Sequence, residues 1–170
     1  MFKQILAALE ASSADIVFFC EHDILYHPSH FDFTPPKKKV WYYNENVWKL
    51  DTKTGHALHY DCKQVSGIAV YRKTALKHYR KKVAMVEKNG FSNGMGYEPG
   101  THHRRERVDD SVSVGWKSDF PNIDIRHGNN LSPTRWKKEE FRNQKYTKGW
   151  IESDTEIPGW GKTADWIKKF

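Results

Sequence analysis

The sequence predicts an α/β protein, a mixed sheet flanked by helices, and three stretches carry that expectation. The first is the start of the chain. Phe2, Ile5, Leu6 and Leu9 recur at helical spacing, with Lys3, Gln4 and Glu10 elsewhere, which predicts a helix over 2–12. Ser12-Ser13 ends it, and the apolar run Ile16 to Cys20 follows as a strand over 15–20. A helix, a short turn and an apolar strand make half of a βαβ unit. The strand does not alternate, so it is expected in the interior of a sheet, covered on both faces. Cys20 is then a small buried hydrophobe.

The second stretch is Val65 to Tyr71, a strand with Gly67 where backbone approaches a ligand, followed by a basic helix over 73–87. Leu76, Tyr79, Val83 and Val86 fall near one face, and Asn89-Gly90 suits the helix end. The third is a hairpin. Val47-Trp48-Lys49-Leu50 and His56 to Tyr60 flank the turn-forming Asp51-Thr52-Lys53-Thr54-Gly55.

Between these, Tyr26 to Pro36 reads as a loop with three prolines, Lys37-Lys38-Lys39 as solvated charge, and Val40 to Tyr43 as a strand. Residues 90–107 are glycine-rich and then strongly charged, and a loop this long is usually functional or disordered. A short helix is expected over 108–116, a strand at Ile123-Asp124-Ile125 and a helix over 135–142. Residues 1–145 form the expected domain. Residues 146–170, with Trp150, Trp160 and Trp166, form an irregular aromatic-rich tail packed on or over it.

Composition narrows the class. The formal charge of +7 favours phosphorylated or polyanionic partners, and seven Trp and eight Tyr suit a recognition surface as well as a core. Cys20 and Cys62 make no disulfide framework, which points to a reducing compartment, read here as the cytoplasm. No apolar run approaches the roughly 18 residues of a spanning helix, and the start lacks a signal peptide's apolar stretch and cleavage site.

Four segments carry a resemblance. Phe18-Phe19-Cys20-Glu21-His22-Asp23 is an apolar run closing in acids; Ser66-Gly67-Ile68-Ala69-Val70-Tyr71-Arg72-Lys73 joins a strand to a helix; Gly94-Met95-Gly96-Tyr97-Glu98 is a glycine-aromatic-acid stretch; and Ile125-Arg126-His127-Gly128-Asn129 places a late histidine at a strand end. In this order they resemble the GT-A glycosyltransferases of the inverting family-two type, over roughly residues 2–130. The resemblance implies a truncated or minimal GT-A-like, Rossmann-like sheet. Set beside that family, the chain begins where the second half begins, without the βα units that carry much of the nucleoside pocket. A minimal form, a fragment, or an oligomer or partner chain that completes the pocket all follow from this. Two departures are local: Glu21 stands where the family has its first aspartate, and Glu98 is followed by Pro99.

The resemblance implies transfer of a sugar from a nucleotide-sugar donor to an acceptor hydroxyl, on a carbohydrate or a modified nucleic acid. A divalent cation, Mn²⁺ or Mg²⁺, neutralises the leaving diphosphate, because hard cations take carboxylate oxygens and Mn²⁺ also accepts imidazole. Asp23 is the expected direct ligand, and Glu21 acts through water or on the sugar. His127 completes the set, and His22 points away, since side chains alternate along a strand. Both acids also suit a simple turn cap. Glu98 is the expected base for the acceptor proton, with Asp110 as runner-up and Asp109 an N-cap of the following helix. Arg104 and Arg105 would grip diphosphate. Ser66, Gly67 and Trp48 would line the acceptor side. His27, His30 and His59 lack ligand spacing and read as loop residues. Two other functions stay open: a basic nucleic-acid-binding module, and a non-catalytic subunit with a GT-A-like half-fold.

Overall fold

The structure is a computed structural model and describes residues 1–101, 108–130 and 132–169. In chain order it runs α1 (Phe2–Ala11), β1 (Ile16–Phe18), β2 (Ile24–Leu25), β3 (Val40–Asn44), β4 (Val47–Asp51), β5 (Ala57–His59), β6 (Ile68–Tyr71), α2 (Arg72–Asn89), β7 (Val112–Trp116), β8 (Asn122–Arg126), β9 (Ile151–Ser153), β10 (Glu156–Ile157), β11 (Gly161–Lys162) and α3 (Thr163–Ile167). The architecture is mixed α/β. Strands pair in the orders β1-β6-β3-β7 and β2-β8-β4-β5-β9, with β10-β11 as a small ribbon. No helix among the described residues is long and apolar enough to cross a membrane. Contacts divide the chain into two compact units: Met1–Phe19, Thr34–Tyr43 and Lys63–Gly115, and Cys20–Phe33, Asn44–Cys62 and Trp116–Phe170.

In the first unit, β6 pairs antiparallel with both β1 and β3. Helices α1 and α2 cover this sheet. Leu9, Trp41, Tyr43, Ile68, Val70, Ala75 and Tyr79 form the buried core, with Phe2, Ile5, Leu6, Val17 and Phe19 packed on it. Burying each large apolar side chain of this kind contributes about 1.5–3 kcal/mol. The apolar stripe of α1 is therefore the one read from its spacing. The strand after it differs from expectation. β1 is a half-buried edge strand of three residues, antiparallel to its neighbour, not an interior strand. Its apolar run serves one face of the sheet and a link, and Cys20 beyond it is exposed.

α2 also turns its face by one position. Ala75, His78, Tyr79 and Lys82 are the buried residues, while Leu76, Val83 and Val86 lie half-buried beside them. Ala75 allows close packing, and the polar tips of His78 and Lys82 find partners. His78 Nδ1 bonds Asp109 Oδ2 at 2.8 Å, and the Lys82 ammonium lies 4.3 Å from the Phe2 ring centroid. Gly90 ends the helix at φ 77, a conformation that glycine adopts without steric cost. Residues 112–116 are strand β7, not a helix. Val112 and Val114 alternate with Ser113, whose hydroxyl donates to Gly100 O at 2.8 Å.

In the second unit, β8 lies between β2 and β4, antiparallel to β2 and parallel to β4. The β4-β5 hairpin forms as the turn residues predict, and β9 adds to its outer edge. Trp48, Leu50, Ala57, Ile123, Ile125 and Ile157 form the core, with Trp160, Trp166 and Ile167 from the tail packed against it. Residues 135–142 hold only a 3-10 turn at Lys138–Glu140. Register places Lys49 opposite Asp124 on the parallel pair β4-β8. Lys49 Nζ is 3.7 Å from Asp124 Oδ2, and Asp124 Oδ1 accepts from Arg126 at 3.2 Å, so one carboxylate serves two cationic side chains within the sheet.

His59 lies in strand β5 rather than in a loop, and His30 sits in the loop before β3, in a 3-10 turn; both are buried. His59 belongs to β5, where its ring stacks on Trp48 and its Nδ1 bonds Val47 O at 2.9 Å. The amide groups of Asn44 and Asn122 donate to His30 Nδ1 at 3.0 and 3.1 Å, which requires the neutral ring. Burial pushes His30 down to about 4. A base depressed on folding binds its proton more readily in the unfolded chain. Stability from this group is therefore complete above pH 6.5 and is lost as pH falls through 4, by about 3 kcal/mol. Urea midpoints between pH 7 and 4 should fall more steeply in the wild type than in His30→Gln; equal slopes would refute the assignment.

Candidate functional site

The acidic triplet does not sit at the end of β1. His22 and Asp23 form a turn that leads into β2, and β2 is fixed by pairing with β8. This pairing aligns Asp23 with the far end of β8. Asp23 O accepts from Ile125 N at 2.8 Å, and Asp23 Oδ2 accepts from Asn130 Nδ2 at 3.1 Å, across 107 residues of sequence. Asn130 Oδ1 in turn accepts from the backbone N–H of His127 at 2.6 Å. One asparagine thus ties the predicted carboxylate to the predicted histidine loop. Glu21 is exposed at the same turn, and its backbone N–H donates to Tyr26 Oη at 3.0 Å.

The donor set at this corner fits a hard divalent cation in part. Among the described residues no three His, Cys, Asp or Glu side chains gather at ligand spacing. Asp23 Oδ1 has no hydrogen-bond partner among the described residues. His127 Nδ1 accepts from Asn129 N at 3.1 Å, so the neutral ring carries its proton on Nε2. Ligation by Nε2 requires the proton to move to Nδ1 and that bond to break. A cation held by one or two carboxylates, completed by substrate phosphates and water, is how Mg²⁺ is commonly bound.

Two adjoining clefts lie here, and the smaller borders the corner. One, of about 350 Å³, is lined by Asp51, Lys53, Arg126, His127, Asn130 and Trp136. Arg126 shapes it by bonding Thr134 Oγ1 and Ser132 O while holding Asp124. The other, of about 640 Å³, shares Asp51 and Trp136 and adds His56, Trp150 and Glu152. Trp150 stacks on Tyr60 at an interplanar angle of 15° and donates its Nε1–H to Glu152 at 2.5 Å. Sequence reasoning missed Asn130, Arg126, Trp136 and Trp150. The abundance of tryptophan was the only signal for the last two, and no local pattern tells a cleft tryptophan from a core one. Trp48 itself is 5 % exposed, in the core of this unit.

The other predicted residues belong to the first unit. Ser66 and Gly67 are buried in a 3-10 turn before β6, where Ser66 Oγ accepts from Gln64 Nε2 at 2.8 Å. Glu98 is half-buried in a loop held against β7 by Gly100. Gly100 has φ +75, and a Cβ there would meet the Ser113 nitrogen at 2.8 Å. A recess of about 20 Å³, room for one water, is lined by His78, Glu98, Asp109 and Ser111 among others. The Glu98 charge adds to burial in pushing the Tyr43 and Tyr79 hydroxyls up, the latter to about 12. Asp109 caps no helix. Its burial alone would raise its pKa, but hydrogen bonds from His78 and Ser111 outweigh this and hold it well below the usual carboxylate range. Asp110 is exposed beside it. Arg104 and Arg105 lie outside the described residues.

Comparison with protein-family models, with curated proteins and with solved structures finds no match to this chain.

Proposed function

We propose that this chain is a metal-dependent glycosyltransferase with a GT-A-like, family-two-like fold, moving a sugar from a nucleotide-sugar donor to an acceptor hydroxyl. The observation that carries the reading is the closure of Asp23 onto the His127–Asn130 loop through the 3.1 Å Asn130 bond. It joins the two motifs that the resemblance pairs at the metal, although 107 residues separate them. Asp23 would hold Mn²⁺ or Mg²⁺, with His127 joining after its tautomer change and Glu21 contacting water or sugar. The cation supplies Lewis-acid neutralisation of the departing diphosphate. In the transfer, the acceptor oxygen attacks the anomeric carbon, the carbon–oxygen bond to the diphosphate breaks, and the acceptor proton passes to a carboxylate.

The Trp136 and Trp150 cleft favours a carbohydrate acceptor. Apolar sugar faces stack on indole rings, while Asp51 and Glu152 accept hydroxyl hydrogen bonds. The base is assigned to Glu98, with Asp110 as the alternative, on the likeness of their motifs.

A panel of nucleotide sugars with Mn²⁺ tests the proposal by donor hydrolysis and by calorimetry. Absence of donor binding with and without metal overturns it. Glu98→Gln should hold donor affinity within about twofold and lower turnover about 10²–10⁴-fold. Full activity in Glu98→Gln with loss in Asp110→Asn would move the base to Asp110.

A further inference from the structure

A cleft of about 810 Å³ lies in the first unit between the turn at Lys38-Lys39 and one face of α2. Five lysines line it: Lys38, Lys39, Lys73, Lys77 and Lys81. None of the five forms an ion pair among the described residues. The only acid on α2 is Glu87, which pairs with Lys3 at 2.8 Å. Asp15, Asp109 and Asp110 share the lining, and Asp109 is engaged by His78 and Ser111. The wall also holds His78, 4 % exposed, whose Nδ1 is bound to Asp109 and whose Nε2 has no hydrogen-bond partner among the described residues. Tyr71, half-buried, adds an aromatic ring.

The spacing of the charges selects the ligand. Lys73, Lys77 and Lys81 follow at steps of four residues, so their ammonium groups share one face and repeat about every 6 Å along the helix. A row of this kind matches a chain of phosphates better than one compact anion. The opposite lip is held in place, since Lys39 N donates to Thr74 Oγ1 at 3.2 Å and Lys39 adopts φ 63. A basic groove that tracks the backbone, with an aromatic side chain for a base to stack on, is the general design of single-strand binding.

We propose that this cleft binds a nucleic-acid single strand, with its phosphates on the five lysines and a base against Tyr71. The assignment stands independently of the transfer reaction, because it uses no residue of the Asp23 corner.

Fluorescence anisotropy of a labelled 12-mer DNA strand tests it. With five phosphates neutralised, raising salt from 50 to 200 mM should weaken binding about 100-fold, a log–log slope near −3.5. The variant K73Q/K77Q/K81Q should reduce the slope by about 2, and K38Q alone by about 0.7. The control K145Q/K148Q/K162Q removes the same charge from exposed positions outside α2 and the cleft and should shift affinity less than threefold. Thermal melts confirm that each variant folds. Equal weakening in the two triple variants would reduce the effect to net charge and overturn the proposal. So would no strand binding by the wild type at 50 mM salt, tighter binding of a nucleoside triphosphate than of the 12-mer, or a preference for duplex.

Discussion

Asp23→Ala should abolish Mn²⁺-dependent binding of the nucleotide-sugar donor while leaving the fold in place. The two effects separate because Asp23 makes two kinds of contact. Its backbone carbonyl accepts from Ile125 N and holds β2 to β8, and alanine keeps that bond. Its side chain accepts from Asn130 Nδ2 at a half-buried position, and losing that bond costs about 1 kcal/mol. What disappears is the carboxylate proposed to hold the cation. Asn130→Ala should be milder, about 10–100-fold in metal affinity, because it removes the group that orients the ligand rather than the ligand itself. Calorimetry with and without Mn²⁺ reads both variants. Metal-dependent donor binding that survives in Asp23→Ala would place the cation elsewhere in the chain.

Asp124→Ala should destabilise the protein by about 3–5 kcal/mol, a large share of the 5–15 kcal/mol that holds an ordinary domain. Asp124 is 5 % exposed and Lys49 8 %. Removing the carboxylate leaves the Lys49 ammonium buried with, among the described residues, the Cys62 sulfur at 3.9 Å and the Tyr60 ring at 4.8 Å, and Arg126 still nearby as a like charge. The loss is therefore larger than the worth of the pair. The double variant Lys49→Met with Asp124→Leu should recover most of it, since apolar residues of similar volume commonly replace a buried ion pair without penalty. Urea denaturation measures both, and a loss below about 1 kcal/mol in Asp124→Ala would show that water solvates the abandoned lysine.

Some of this was legible in the chain. The α1 stripe of Phe2, Ile5, Leu6 and Leu9 packs as its spacing says, because a helix's period belongs to the helix alone. The β4-β5 hairpin and β8 were readable for a similar reason, with turn residues and a short apolar run at hand. The alternation of Val112-Ser113-Val114 also carries a strand signal for β7, but Asp109 just before it competes as a helix cap. The hydrogen bond from His78 claims that carboxylate instead, and His78 lies 31 residues away.

At the site, the sequence supplied Asp23 and His127 as separate candidates, and their types suggested a cation. It did not supply Asn130 as the link between them, because that depends on β2 finding β8. Burial of His30 likewise depends on two asparagines, at positions 44 and 122, that converge only when the strands pair.

The sequence by itself determined the α/β class, the two main helices, the hairpin and the basic, aromatic-rich character of the surface, since each follows from periodicity, turn chemistry or a count. Only the tertiary structure decided that β1 is an edge strand, that Lys49 faces Asp124 inside a parallel pair, and that five lysines from two segments surround one cleft. Strand order and register are set by contacts between distant residues, and no local pattern encodes which strand lies next to which.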